Sequence, residues 1–457
     1  MKTINHQKKS IINFLISFGI ALVLTLLLKE PGFNDSQVYV LFLLFFAIGL
    51  WITEAIPAFA VSLFIIAYLV FALGNKYFNS NPENIEEYVR TFSDSIIWLL
   101  LGGFFLAKAM AKTKLDVSLF RFTLKMAGPN PRKLLIGIMA TTMVVSMLLS
   151  NTATTTMVLA MVMPLLGSLG KNSGLTKALL LGIPVASTAG GMATIIGTPA
   201  NAIAVGALQN AGITVEFLDW MIYGVPIAIL IATICCIALI KKYIKDTTPI
   251  STAFIDDLKN DSSKESSLQR NIVIVVILVT IGLWVTTSLH GIKVASVCAV
   301  PLVVLTLTGV LDGKDIQSLS WDTLLLVAGG LSLGLALDHT GLLDHYAKML
   351  ITMQLDSLVL FFIFAFLAVL LANVMTNSTT TALMIPICLV ILPAFKLEAS
   401  LIVSLSSSAA LLLLASSPSN AIVFNTALLE QKDFRLTGLL FGLLGPLLAI
   451  LWVVLMT

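Results

Sequence analysis

The sequence predicts an all-α polytopic membrane protein of about eleven transmembrane helices plus two re-entrant hairpins, built as an inverted repeat. Three observations predict it. Long apolar runs recur from end to end: 58% of the residues are hydrophobic, 11% are charged and the mean hydropathy is +1.00. Soluble domains carry about 25% charged residues, so this chain has too few to cover itself with a hydrated surface. Lysines and arginines gather in alternate connections, and the two halves carry matching polar motifs at matching intervals.

Taken in order, the apolar runs give spans at 11–28, 38–56, 57–74, 95–111, 178–199, 219–240, 271–290, 293–311, 323–341, 400–419 and 437–456. Most approach the ~20 residues that a spanning helix needs. None shows the alternating ten-residue pattern of a β-barrel. The first run has no small-residue cleavage site and is followed by further spans, so it reads as a span and not as a signal peptide. Asp94 and Asp322 precede or open spans and read as helix caps. Glu54 closes the second span and reads as an interfacial residue.

Two apolar regions, 134–166 and 358–395, differ from the rest. Each has a polar cluster at its centre: Ser150-Asn151-Thr152 followed by Thr154 to Thr156, and Thr376-Asn377-Ser378 followed by Thr379 to Thr381. A limb of about 16 residues reaches about 24 Å at ~1.5 Å per residue, short of a ~30 Å core. Each region is therefore a hairpin that enters and returns on one side. With the N-terminus cytoplasmic, this reading leaves only Lys29, Lys76, Arg90, Lys293, Lys348 and Lys396 of the 27 lysines and arginines outside, in keeping with the positive-inside rule. It puts the C-terminus outside. The polar stretch 246–270 becomes a flexible cytoplasmic linker between the halves.

The halves match in order. Gly102-Gly103 answers Gly329-Gly330, the Asn151 cluster answers the Asn377 cluster, and Gly197-Thr198-Pro199-Ala200-Asn201-Ala202-Ile203 answers Ser416-Ser417-Pro418-Ser419-Asn420-Ala421-Ile422. By the charge-derived topology, corresponding spans run in opposite directions. That is the architecture in which secondary transporters hold their site near the bilayer midplane.

The four polar clusters are the candidate site. Pro199 and Pro418 cannot continue a helical ladder, so each marks a broken helix. A break in lipid is tolerated only where protein, water or a ligand satisfies the freed backbone. Helix starts at both tips and both breaks offer N–H groups and positive dipole ends to an anion. Adjacent carbonyls suit a small hard cation. A single such cluster reads as interhelical glue; four in two matched pairs, two with prolines, read as a site. No lysine or arginine lies near any of them in sequence. An anion held there needs countercharge from bound cations, so sodium is the expected co-ion. Net charge, +3, says little. The four cysteines lie within apolar runs and read as small hydrophobes. With no nucleophile–base pair in the core and no Cys/His metal spacing, neither an enzyme, a structural metal nor a nucleic-acid partner is expected.

Ser150-Asn151-Thr152, its partner at Asn377, the paired Pro-x-Asn-Ala-Ile segments and Trp51-Ile52-Thr53-Glu54-Ala55-Ile56-Pro57 together resemble the divalent anion/sodium symporter (DASS) family, over essentially the whole chain. The resemblance implies a homodimer in the cell inner membrane, an elevator mechanism, and C4-dicarboxylate substrates such as succinate, malate and fumarate, with citrate, tartrate or sulfate in some members. Some relatives are sodium-independent exchangers. It implies scaffold parts at 1–133 and 271–357, and transport parts at 134–245 and 358–457 with breaks at 197–203 and 416–422. It assigns the anion to Ser150, Asn151, Thr152, Thr198, Pro199, Thr376, Asn377, Ser378, Ser417 and Pro418. One sodium would sit with Ser146, Ser150, Asn151 and Gly197, the second with Ala372, Met375, Asn377 and Ser416. The chain departs from the family pattern at Thr376 and Ser378, which replace Ser and Thr, at Ala372, where Thr is common, and at Ser419, where Pro is common.

Overall fold

A chain in hydrocarbon must satisfy its own backbone, which favours helix, and the apolar runs fold accordingly. The structure, a computed structural model, describes residues 2–79, 82–245, 249–250, 267–342, 345–346 and 356–457. Of the linker, residues 246–248 and 251–266 lie outside the described residues. The helix after it starts at Ser267, inside the stretch expected to be linker.

The principal helices of the first half are α1 Lys2–Leu28, α2 Asp35–Thr53, α3 Ala58–Gly74, α4 Ser95–Lys112, α5 Leu115–Ala127, α6 Pro131–Ser146, α7 Asn151–Leu169, α8 Gly174–Met192, α9 Pro199–Asn210 and α10 Phe217–Tyr243. Those of the second are α11 Ser267–Val285, α12 Ala299–Leu307, α13 Trp321–His339, α14 Ser357–Val374, α15 Asn377–Ile391, α16 Lys396–Ser407, α17 Pro418–Phe424 and α18 Arg435–Met456. Among the described residues, ten helices are long and apolar enough to cross a membrane. The fold is all-α and polytopic.

Caps set several of these boundaries. Asn34 accepts from Gln37 N–H while the Gln37 side chain accepts from Asn34 N–H, which starts α2. Asp94 accepts from Ile96 N–H at 2.9 Å and starts α4 as expected. Asp322 does not cap: Ser320 holds the cap position of α13 and Asp322 lies in its first turn. Glu54 is exposed and terminates α2 in the left-handed region, at φ 48°.

Some spans differ from expectation. The run 178–199 leaves helix at Met192, 400–419 leaves it at Ser407, and 293–311 holds only Val294–Val297 and α12. Apolar composition continues through these breaks, so hydropathy alone does not see them. The charged stretch after α4 contains α5, which buries Phe120 and Leu124 on one face and exposes Phe122 and Met126.

Both hairpins are present as helix pairs. Pro131 and Leu169, the outer ends of α6 and α7, line one cavity with Tyr243 and Ile250, so this pair returns to the end from which it enters. At the second pair, Phe361 near the start of α14 meets Phe395, just past α15, with ring centroids 5.9 Å apart.

The breaks then exchange partners. Helix α9, which leaves the first break, packs on α15 and α16 of the second half. Helix α17, which leaves the second break, packs on α7 and α8 of the first.

Ion pairs join segments that the charge pattern assigns to the same side of the membrane. Lys112 meets Asp312, at 3.3 Å, and Asp315; Lys177 meets Asp433 at 3.1 Å. Two carboxylate–imidazole contacts do the same on the other side: Glu30 meets His345 at 2.7 Å and Glu87 meets His339 at 3.3 Å. Asp312 caps a short helix, and the Asp315 N–H with the Lys112 ammonium holds its carboxyl below the ordinary range.

Candidate anion and cation site at the hairpin tips

Tip and break geometry follows from local sequence. Ser150, extended at φ −61° and ψ 149°, caps α7 by accepting from Ala153 N–H at 3.3 Å. Thr376 does the same for α15, accepting from Thr379 N–H at 3.2 Å. Thr198 and Ser417 occupy the cap positions of α9 and α17, with Pro199 and Pro418 as first helical residues. Proline suits that position because its missing N–H would have no intrahelical partner there. The candidate residues thus stand at helix starts, where unsatisfied N–H groups concentrate.

Exposure separates them. Ser150, Thr152 and Pro418 are exposed, Asn151, Pro199, Thr376 and Asn377 are intermediate, and Thr198, Ser378 and Ser417 are buried. Ser146 ends α6, fully buried, and its hydroxyl donates to Asn151 Oδ1 at 3.0 Å. Ala372 and Met375 are buried at the end of α14. Ser416 is buried and its hydroxyl donates to Leu413 O at 2.7 Å. Gly197 donates its N–H to Thr194 Oγ1 at 3.1 Å.

Close approach explains the glycines at the first tip. A methyl at Gly191 would overlap Asn151 Oδ1, and one at Gly197 would overlap the Gly191 carbonyl. The end of α8, the first break and the first tip therefore touch. Behind them, Thr155 Oγ1 donates to Ser187 Oγ at 3.0 Å, and in the second half Thr381 Oγ1 and Ser407 Oγ are 2.8 Å apart. These pairs fall four residues after Asn151 and Asn377, so the likeness of the halves extends into their packing. Among the described residues no hydrogen bond joins Ser150, Asn151 or Thr152 to Thr376, Asn377 or Ser378; the tips are linked through the breaks.

Residues missed by sequence reasoning hold the breaks. Asn201 Nδ2 donates to the carbonyls of Gly191 at 2.9 Å and Thr194 at 2.8 Å. Asn420 Nδ2 donates to Leu411 O at 2.9 Å. Thr194 Oγ1 donates to Met147 O, in the first tip, at 2.6 Å. Their amides were visible in the paired Pro-x-Asn-Ala-Ile segments, but that they reach back nine or ten residues was not.

Polar atoms at the tips come from hydroxyls, carboxamides and backbone, and this set combines N–H donors for an anion with neutral oxygens for a cation. A polytopic helical protein with such polar tips at two helix pairs fits the class of membrane carriers. The citrate transporter (CitMHS) family model matches residues 48–415, well over half of the chain, and the chain belongs to that family. It is 27% identical to a sodium-dependent dicarboxylate transporter SdcS of Staphylococcus saprophyticus, over 94% of this chain and 88% of that one. It is 28% identical to SdcS of Staphylococcus aureus strain USA300, with the same coverage, and 29% identical to an uncharacterized transporter of Haemophilus influenzae, over 97% and 96% of the two chains. Among solved structures, Neisseria gonorrhoeae MtrF aligns at a TM-score of 0.57 and 13% identity, over 87% of this chain and 94% of that one. That likeness shows the fold alone.

Proposed function

We propose that this carrier moves a C4-dicarboxylate, such as succinate, malate or fumarate, in symport with sodium. The observation that carries the reading is the pair of matched tips, Ser150-Asn151-Thr152 and Thr376-Asn377-Ser378, each opening a helix of 15 or more residues. Two such helix starts suit the two carboxylates of one small dianion. The names of the SdcS relatives support both the substrate class and the co-ion.

In this reading Ser150, Asn151, Thr152, Thr198, Pro199, Thr376, Asn377, Ser378, Ser417 and Pro418 surround the anion. Ser146, Ser150, Asn151 and the Gly197 carbonyl hold one sodium. Asn377 with backbone oxygens of Ala372, Met375 and Ser416 holds the other. Sodium supplies the charge that the protein does not. Two transport parts, 134–245 and 358–457, move as one elevator body against scaffold parts 1–133 and 271–357 in an inner-membrane homodimer. The Lys177–Asp433 pair and the bond from Trp452 Nε1 to Ile222 O, at 3.0 Å, support a single body because each ties one transport part to the other. The contacts described above support the grouping of these segments on two sides, and the lysine and arginine bias supports an N-terminus inside and a C-terminus outside.

The test is uptake of labelled succinate into empty proteoliposomes, with and without an inward sodium gradient. Sodium-driven accumulation is expected. Uptake that ignores sodium but requires internal dicarboxylate would mark an exchanger, and competition by sulfate without competition by malate would mark an inorganic-anion carrier.

A further inference from the structure

The first break is held by a chain of hydrogen bonds that begins in the other half of the molecule. Ser404, fully buried on α16, donates its hydroxyl to Asn201 Oδ1 at 3.2 Å. Asn201, also fully buried, passes both amide hydrogens to the carbonyls of Gly191 and Thr194. Thr194 then clamps two strands of chain at once: its hydroxyl donates to Met147 O in the first hairpin tip and accepts from Gly197 N–H. From Ser404 to Met147 the chain passes through three side chains and ends three residues before Ser150.

The second break is stitched differently. Asn420 Nδ2 holds Leu411 O, as Asn201 holds Gly191 O. Its tip connection is made by Asn373, whose Oδ1 accepts from Leu412 N–H at 3.1 Å and Leu413 N–H at 3.3 Å. Counted back from the matched hydroxyls Ser187 and Ser407, the position answering Ser404 is Pro184, which has no hydroxyl. The cross-half bond therefore runs one way, from the second half to the first.

Each carbonyl so held is a backbone group that a helix break would otherwise leave unpaired, at a desolvation cost, in an apolar interior. The Asn201 amide offsets two of these, and its own oxygen is in turn satisfied by Ser404. These bonds tie residues 191–197 to one another and to Met147 in the tip.

We infer that Asn201, Thr194 and Ser404 are positioning residues: they fix the first tip and the Gly197 carbonyl in the geometry that binds ligand, and Ser404 makes that geometry depend on the second half. This rests on the proposed function in locating the ligand at the tip. The inference concerns affinity, so Ser404→Ala is expected to raise both the succinate KM and the half-saturating sodium concentration by roughly three- to ten-fold, the scale of one lost buried hydrogen bond. Its kcat stays within about two-fold of wild type, and Ser404→Thr, which keeps the hydroxyl, restores both constants. Lys177→Ala removes a different bond between the same two parts, away from the tips, and should leave both constants unchanged.

A second readout does not depend on what is carried. Hydrogen–deuterium exchange across residues 147–153, measured without ligand, should quicken in Ser404→Ala and Asn201→Ala and not in Lys177→Ala. Unchanged exchange at the tip in Ser404→Ala, or equal loss of affinity in Lys177→Ala, would overturn the inference. Wild-type protein that takes up no succinate overturns the proposed function instead, while the exchange comparison still decides the positioning role.

Discussion

Ser146 donates a hydrogen bond to Asn151 Oδ1 at 3.0 Å, but five residues before Asn377 stands Ala372, and Asn377 Oδ1 is buried with no partner. The two tips match in sequence and in capping, yet one carboxamide oxygen is engaged and its twin is not.

The first prediction follows from that asymmetry. As proposed, the second cation position uses no side-chain hydroxyl where the first uses those of Ser146 and Ser150, and it draws more of its oxygens from backbone. Ala372→Ser adds the missing oxygen with little added volume at a fully buried position. The sodium concentration for half-maximal succinate uptake should fall about five-fold, the effect of one ~1 kcal/mol contact. A sodium titration of wild type and variant reads it. If wild-type uptake is flat from sodium-free buffer upward, coupling itself is ruled out.

Asn151 is expected to serve anion and cation together, since it opens α7 and meets Ser146. Asn151→Ala should therefore weaken succinate and sodium binding at least ten-fold in the purified protein. Calorimetry with each ligand separates the two effects, and a loss confined to one of them would assign Asn151 to that ligand alone.

Gly191 offers a test that leaves every polar group in place. Gly191→Ala puts a methyl where Asn151 Oδ1 lies, so the tip must shift. It should raise the succinate KM by an amount comparable to Asn151→Ala while the protein remains folded by circular dichroism. Wild-type KM in Gly191→Ala would mean that the tip geometry near Asn151 is not what binds.

Orientation can be read by labelling. In a variant with Cys235, Cys236, Cys298 and Cys388 replaced by alanine, Asn172→Cys should react with a membrane-impermeant maleimide only from the cytoplasmic side. Asn210→Cys should react only from outside. Both positions are exposed. A reversed pattern at either would undo the charge-based topology.

Much of the fold was legible because a bilayer makes hydropathy nearly decisive, and because proline and polar clusters interrupt apolar runs where helices end. Both helix pairs came from the polar clusters that interrupt their apolar regions, but α7, of 19 residues, and α14, of 18, are longer than the limb of about 16 residues expected, and the capping roles of Ser150 and Thr376 were not foreseen. What escaped has physical reasons. Residues 193–198 are as apolar and as buried as the helix before them, so composition could not reveal that their backbone is satisfied by Asn201 and not by a helical ladder. The α5 helix was hidden by Lys114, Arg121 and Lys125, which made a half-buried helix read as a basic loop. Asp322 resembled Asp94, but Ser320 took the cap. The link from Ser404 to Asn201 joins residues 203 positions apart, and nothing local encodes it.

The exchange of partners between halves has a consequence for how the protein is made. Asn210, the end of α9, emerges 167 positions before Asn377, the start of the α15 helix on which α9 packs. At ~5–20 residues per second, the first half waits roughly ten to thirty seconds in the membrane before that neighbour exists. Through this interval the Asn201 carboxamide lacks Ser404, and the face of α9 that α15 will cover is open. A chain truncated after residue 245 would lack both the Ser404 hydroxyl and the helices on which α9 packs. The first break is therefore completed only after the second half has been made.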